Sequence, residues 1–186
     1  NPFAGDSVVT HVEADRRDRD DLEAVAERVD PDAVVDCVAY YPEDVREATE
    51  LFSDCEAYVY VSSGASYGVE RVPKREGDTP LCECTTEQAT TDSAATYGPR
   101  KAEGDRAVFA AAERGVRAMS VRPTVVYGPH DYTERFDYWI DRVDNHESVV
   151  VPGDGLTLWQ LAFVEDVASA LRIVAEEGTA GEAYNV

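Results

Sequence analysis

The chain has 186 residues, 44% of them apolar, which is enough for one good-sized core and excludes a disordered or fibrous protein. Thirty-eight acidic residues against 17 basic ones set the formal charge at -21, and only Lys74 and Lys101 among the basic set are lysines. Such a surface repels phosphate and argues against nucleic acid as a partner, while fitting either a protein from a salt-loving source or a merely acidic one.

In chain order, Val8 to Val12 reads as a strand, followed by a polar turn at Asp15-Arg16-Arg17-Asp18 and a helix on which Leu22, Val25, Ala26 and Val29 share a face. Pro31-Asp32 breaks that helix. Ala33 to Ala39 is a near-continuous apolar strand, and Val45, Ala48, Leu51 and Phe52 mark the next helix. Ala57 to Val61 is a further strand ending at Ser62-Ser63-Gly64, and the polar stretch from Glu70 to Ser93 reads as a long loop. Tyr97 to Arg114 is helical. Proline is tolerated only in the first turn, so Pro99 requires this helix to start near Ser93 to Thr96. Arg117 to Val121 is a strand closed by Arg122-Pro123. Beyond it come a helix carrying Phe136, Trp139, Ile140 and Val143, a short strand at Val149 to Val151, a turn at Pro152-Gly153-Asp154-Gly155, and a helix from Val164 to about Glu176.

Strands that are apolar throughout are buried on both faces, and strands alternating with helices pair in parallel. The expected class is therefore α/β, a doubly wound parallel, Rossmann-like sheet over residues 1–128. Residues 129–186 begin a smaller substrate-binding region, whose helix 164–177 returns to the core. Ligands of such sheets sit at the carboxyl ends of the strands, here Ala14-Asp15-Arg16, Val38-Ala39-Tyr40-Tyr41, Ser62-Ser63-Gly64 and Arg122-Pro123-Thr124. Cys37, Cys55, Cys82 and Cys84 are not in CxxC pairs and the three histidines are scattered, so reduced thiols and no metal are expected. There is no run of 18 apolar residues, and Asn1 to Asp6 has neither a basic head nor an apolar core. The expectation is a soluble, cytoplasmic protein with no membrane segment.

Five segments, taken in order, carry a resemblance. They are Val61-Ser62-Ser63-Gly64-Ala65-Ser66-Tyr67-Gly68, Tyr97-Gly98-Pro99-Arg100-Lys101, Arg122-Pro123-Thr124-Val125-Val126-Tyr127-Gly128-Pro129, Phe163-Val164-Glu165-Asp166-Val167-Ala168 and Gly181-Glu182-Ala183-Tyr184-Asn185-Val186. Together they resemble the successive signatures of extended short-chain dehydrogenases, the NAD-dependent epimerase/dehydratase family. The stretch from Tyr127 through Trp139 to Leu161 is also similar to the atypical branch that contains chloroplast stem-loop-binding proteins. The first resemblance implies an epimerase or alcohol/ketone oxidoreductase acting on a nucleotide sugar or similar alcohol, with NAD or NADP as cofactor, NAD favoured, and it allows a homodimer. The second implies a non-catalytic or RNA-binding protein on the same scaffold.

The resemblance also assigns residues. Ser63, Tyr97 and Lys101 match the catalytic hydroxyl, base and lysine. Asp15, with Arg16 beside it, matches the acidic residue that accepts from the adenine amine, and Ala39 and Tyr40 match the strand end beneath the adenosine ribose. Ser62 lies at the cofactor, Pro123 and Val126 match contacts to the carboxamide, and Gly64, His130, Arg135 and Gln160 lie where family members contact substrate. Read as residues alone, Ser62 and Ser63 could simply cap a strand end, Asp15 could close a polar turn, and Tyr97 and Lys101 could be an exposed helical pair.

The chemistry has a physical basis. Tyr97 and Lys101 are four apart and share a helical face. A tyrosine of pKa about 10 needs about 4 kcal/mol of help to act as a base at neutral pH. A cation about 4 Å away, at an effective dielectric near 20, would supply roughly that. Two departures qualify the family pattern. None of the twelve glycines forms GxGxxG or GxxGxxG, so a first βαβ unit of about 40 residues is expected to be missing, and with it the residue choosing NAD or NADP. The family's dehydratases follow the catalytic hydroxyl with Asp and Glu, and here those places are Gly64 and Ala65.

Overall fold

The computed structural model describes residues 5–186. In chain order its elements are α1 (Arg19–Val29), β1 (Ala33–Asp36), α2 (Pro42–Leu51), β2 (Ala57–Val61), α3 (Thr86–Thr90), α4 (Ala94–Glu113), β3 (Ala118–Arg122), β4 (Val125–Tyr127), α5 (Arg135–Asn145), β5 (Leu161–Phe163), α6 (Val164–Glu177) and β6 (Ala183–Asn185). One wholly parallel sheet has the order β1-β2-β3-β6, and β4 and β5 form a second parallel pair. Among the described residues no helix is long and apolar enough to cross a membrane.

The period of two along β2 sorts its side chains between two cores. Tyr58 and Tyr60 face α2 and α4, packing with Val45, Ala48, Val108 and Ala111. Ala57 and Val59 face the other way, with Met119, Val121 and Val174 of α6. Helices thus cover both faces of the sheet, as the alternating pattern requires, and each large side chain buried this way contributes about 1.5–3 kcal/mol. The helix ends follow local rules. The Asp18 carboxylate caps α1 by accepting from the backbone N–H groups of Asp20 and Asp21, and α1 stops where Asp30 turns to φ 45° before Pro31. Pro42 opens α2 while the Asp44 carboxylate accepts from Tyr40 and Tyr41 N–H.

Several expectations need correction. Val8 to Val12 is not a strand: the segment is irregular, Val8 is 86% exposed, and no strand among the described residues offers it a ladder. The apolar run from Ala33 is a strand only to Asp36, and Val35 and Val38 are exposed because β1 is an edge. Val149 to Val151 is likewise irregular, with Val149 half-buried and Val150 and Val151 exposed, and the chain instead pairs β5 with β4, for which the sequence offers no strand pattern. β6 was not anticipated as a strand either. The loop from Glu70 to Ser93 contains α3, a single turn held by a box in which Thr85 Oγ1 accepts from Gln88 N–H and Gln88 Oε1 accepts from Thr85 N–H. The Gly153-Gly155 turn is present, with both glycines at positive φ. The α4 helix starts at Ala94 after a Ser93 cap, within the range required by Pro99, yet Pro99 falls in its second turn.

Candidate active site

β2 ends at Val61, and Ser62 continues the sheet by donating its N–H to the Val121 carbonyl (2.8 Å). Ser63 then caps a single tight turn, Gly64–Ser66, its Oγ accepting from Ala65 N–H (3.2 Å), while Gly64 N–H donates to the Pro123 carbonyl (2.9 Å). The ends of β2 and β3 are thereby tied together directly beneath α4. A Cβ on Gly98 would lie 2.4 Å from the Ala65 carbonyl oxygen, so only glycine lets α4 come this close. Tyr97 immediately precedes that contact.

One turn further along α4, Lys101 is almost wholly buried. Its Nζ donates to the carbonyls of Val61 (2.8 Å) and Ala39 (3.0 Å) and lies over the rings of Tyr60 (4.8 Å) and Tyr40 (5.2 Å). Two of its three N–H bonds are thus committed and one remains for a ligand. Burial lowers its pKa to about 8, against the opposing pull of Asp36 and Asp105. Arg100, next to it, donates to the Tyr40 carbonyl (3.0 Å) and the Asp92 carboxylate (2.8 Å). Two consecutive cations therefore hold the consecutive carbonyls of Ala39 and Tyr40.

The expected depression of the Tyr97 phenol by Lys101 does not occur in this structure. The ammonium is turned toward backbone carbonyls, 5.9 Å from the centre of the Tyr97 ring. Burial raises the phenol, and the Ser63 hydroxyl together with Arg100 and Arg135 pulls it back only in part.

These groups meet in a cleft of about 1000 Å3 at the carboxyl ends of the strands. Ser62, Ser63, Gly64, Tyr97, Lys101, Tyr40, Pro123, Val126, Arg135 and Gln160 all line it. A neighbouring hollow of about 640 Å3 shares Tyr40 and Tyr97 with it and reaches Asp15 and Arg16. Asp15 also closes its own turn by accepting from Arg17 N–H (2.9 Å), and Arg16 is engaged by the Asp36 carboxylate (2.6 Å) and the Asp44 carbonyl (2.7 Å). Ala39 is buried beneath, contributing its carbonyl to Lys101. His130 is not brought in: it is exposed, outside both linings, in a left-handed turn at φ 70°.

Sequence reasoning gave no role to Arg71, Lys74 and Arg122, which line the larger cleft. Arg71 is paired with Asp78 (3.6 Å) and Lys74 with Glu70 (3.4 Å), so that among the lining cations Lys101 and Arg135 have no carboxylate partner within the described residues. Arg122 is also half of a buried ion pair with Asp105, Nε to carboxylate at 2.8 Å. The available signal was Asp105 standing four residues after Lys101 on the face that carries Val108, with an arginine ending a strand that is otherwise uncharged.

A family model described as the NAD dependent epimerase/dehydratase family matches residues 1–186. The chain is 26% identical over 181 residues to the chloroplast stem-loop binding protein of 41 kDa b from Arabidopsis thaliana, covering 97% of this chain and 44% of that protein. It is 29% identical over 143 residues to the low-salt glycan biosynthesis protein Agl12 of Haloferax volcanii, covering 73% of this chain and 41% of that one. It thus spans less than half the length of these curated relatives. The crystal structure of dTDP-glucose 4,6-dehydratase from Bacillus anthracis in complex with NAD superposes with TM-score 0.76 at 21% identity, over all of this chain and 60% of that one, which shows a shared fold.

Proposed function

The chain belongs to the NAD dependent epimerase/dehydratase family, and from that premise we propose that it interconverts an alcohol and a ketone on a nucleotide sugar, as an epimerase or oxidoreductase using NAD or NADP, with NAD favoured. The observation that carries this reading is the convergence of Ser63, Tyr97 and Lys101 on one cleft at the carboxyl ends of the strands. Lys101 and Arg135, the lining cations with no carboxylate partner among the described residues, favour a phosphorylated ligand there.

The residues present fit the nicotinamide and ribose end of the cofactor. Lys101 keeps a free N–H beside Ala39, whose side chain ends at Cβ, and Pro123 and Val126 form an adjoining wall. The pyrophosphate would need a glycine-rich turn that this sequence does not contain. When bound, the nicotinamide supplies two-electron hydride chemistry.

The chain's own groups handle the proton and the orientation. Tyr97, kept as a phenol by burial, gives its proton to the carbonyl oxygen in reduction and takes it back in oxidation. Ser63 holds the same oxygen by a hydrogen bond. Arg135 and Gln160 orient the substrate from the opposite wall. Gly64 and Ala65 carry no proton, so the acid and base needed to expel water are lacking, and each is typically worth 10²–10⁴ in rate. The test is incubation with a panel of nucleotide sugars and read-out of product mass. Products unchanged in mass or differing by two hydrogens support the proposal, and a product lighter by one water overturns the preference against dehydration.

The second reading, RNA binding on the same scaffold, is favoured by the likeness to the stem-loop binding protein over 97% of this chain. The charge of -21 weighs against it. Retention of a stem-loop RNA at physiological salt would reverse the order of the two.

A further inference from the structure

The wall of the larger cleft carries a run of polar contacts that the chemistry above does not use. Arg122, on β3, donates from Nε to the Asp105 carboxylate of α4 (2.8 Å) and from a terminal nitrogen to the Tyr67 hydroxyl (3.0 Å). Arginine stays protonated, so that hydroxyl is an acceptor toward Arg122 and its own proton goes elsewhere, to Asn185 Oδ1 (2.7 Å) at the end of β6. This fixes the orientation of the Asn185 amide. Its nitrogen donates to the Lys74 carbonyl (3.4 Å), while the Asn185 backbone N–H donates to the Glu76 carboxylate (2.8 Å). Lys74 and Glu76 belong to segment 70–79, whose first five residues, Arg71 and Lys74 among them, line the cleft. Within the segment, Lys74 pairs with Glu70 (3.4 Å) and Arg71 with Asp78 (3.6 Å).

A continuous line of donors and acceptors therefore runs from the helix that bears Lys101 to the cationic edge of the cleft. We infer that Tyr67 and Asn185 are positioning residues that hold segment 70–79, with Arg71 and Lys74, in register with α4 and β3, and so set where a phosphorylated ligand meets the site. Neither needs to touch the reacting atoms. The fixing of the segment stands on the contacts alone, and its consequence for ligand binding rests on the nucleotide-sugar reading.

The experiment compares the full chain with Tyr67→Phe, Asn185→Ala and the double variant, by amide hydrogen exchange and by binding of uridine diphosphate and of NAD. The expected result is exchange at least about tenfold faster at the Arg75 and Thr79 amides, which donate hydrogen bonds within 70–79, in each single variant, no further gain in the double, and unchanged protection in β2 and α4. Uridine diphosphate should bind at least about tenfold more weakly while NAD affinity is kept. Unchanged exchange at the Arg75 and Thr79 amides, or acceleration spread equally over β2 and α4, overturns the inference. Segment loosening with uridine diphosphate affinity untouched overturns its ligand-facing part. If uridine diphosphate binds neither the parent nor the variants while exchange responds as expected, the nucleotide-sugar reading fails and the positional inference stands.

Discussion

The two walls of the larger cleft are built to different standards. One wall is β2, β3 and α4, where Lys101, Asp105 and Arg122 are buried and every residue of β3 is inaccessible. The other runs from Arg135 to Gln160, where α5 buries no residue fully and Leu156, Leu158 and Trp159 stand largely exposed. Groups that exchange protons must be held to about 0.5 Å, which takes dense packing. Groups that only need to meet one substrate rather than another can sit on thin structure and be replaced without disturbing the chemistry.

The sharpest way to break this contrast is Asp105→Ala. It leaves the Arg122 guanidinium buried without its carboxylate, and about 3–5 kcal/mol should be lost in denaturant unfolding. A loss below about 1 kcal/mol would mean that the dense wall does not depend on the ion pair. Tyr97→Phe comes next: turnover should fall at least about 100-fold with melting temperature and NAD affinity nearly unchanged. Equal activity would remove the hydride-transfer proposal.

Lys101 gives a smaller, pH-dependent effect. Its pKa is lowered to about 8 from an ordinary 10.5, so the ammonium is lost as pH rises through about 8. Between those values the unfolded chain holds a proton that the folded chain does not, and this group makes stability rise with pH there. Ligand binding has the opposite sign, since the ammonium is the form that donates. NAD affinity should fall by up to about tenfold per pH unit above 8, and Lys101→Met should be flat over that range. The smallest effect belongs to the thin wall. Trp159→Ser, at a side chain 70% exposed, should change stability by less than about 0.5 kcal/mol and show itself in KM alone.

The same contrast explains what the sequence made legible. The packed wall is regular, so β2, β3, α2 and α4 could be read from the pattern of the chain, while Ser63, Tyr97 and Lys101 stood out through the resemblance to the family rather than through their spacing. The thin wall has no such pattern. β4 and β5 are three residues each and pair with each other, and in the apolar run Val149 to Val151, which has the composition of a strand, Val150 and Val151 are exposed. Val8 to Val12 failed for a related reason, because a strand signature reports a preference for pairing and says nothing about whether a partner is beside it. Burial was equally invisible from spacing. Helical spacing lets the Lys101 ammonium lie near the Tyr97 phenol or the ribose that bridges them, and in the structure it faces the carbonyls of Ala39 and Val61, 62 and 40 residues away in sequence. The resemblance puts His130 where family members contact substrate, and yet it lies outside the cleft, in a left-handed turn after Gly128.

The contact between Gly98 and the Ala65 carbonyl makes the reach of Tyr97 depend on one absent carbon. A side chain at residue 98 would lift the front of α4 off the turn that carries Ser63, and a misplacement of about 1 Å is enough to cost on the order of 100-fold in rate. A substitution at this position therefore changes volume while leaving every proton-carrying group in place. In a collection of diverged sequences, loss of the glycine beside an intact tyrosine and lysine would mark chains that keep the outward signature of the chemistry after the distance it needs has drifted.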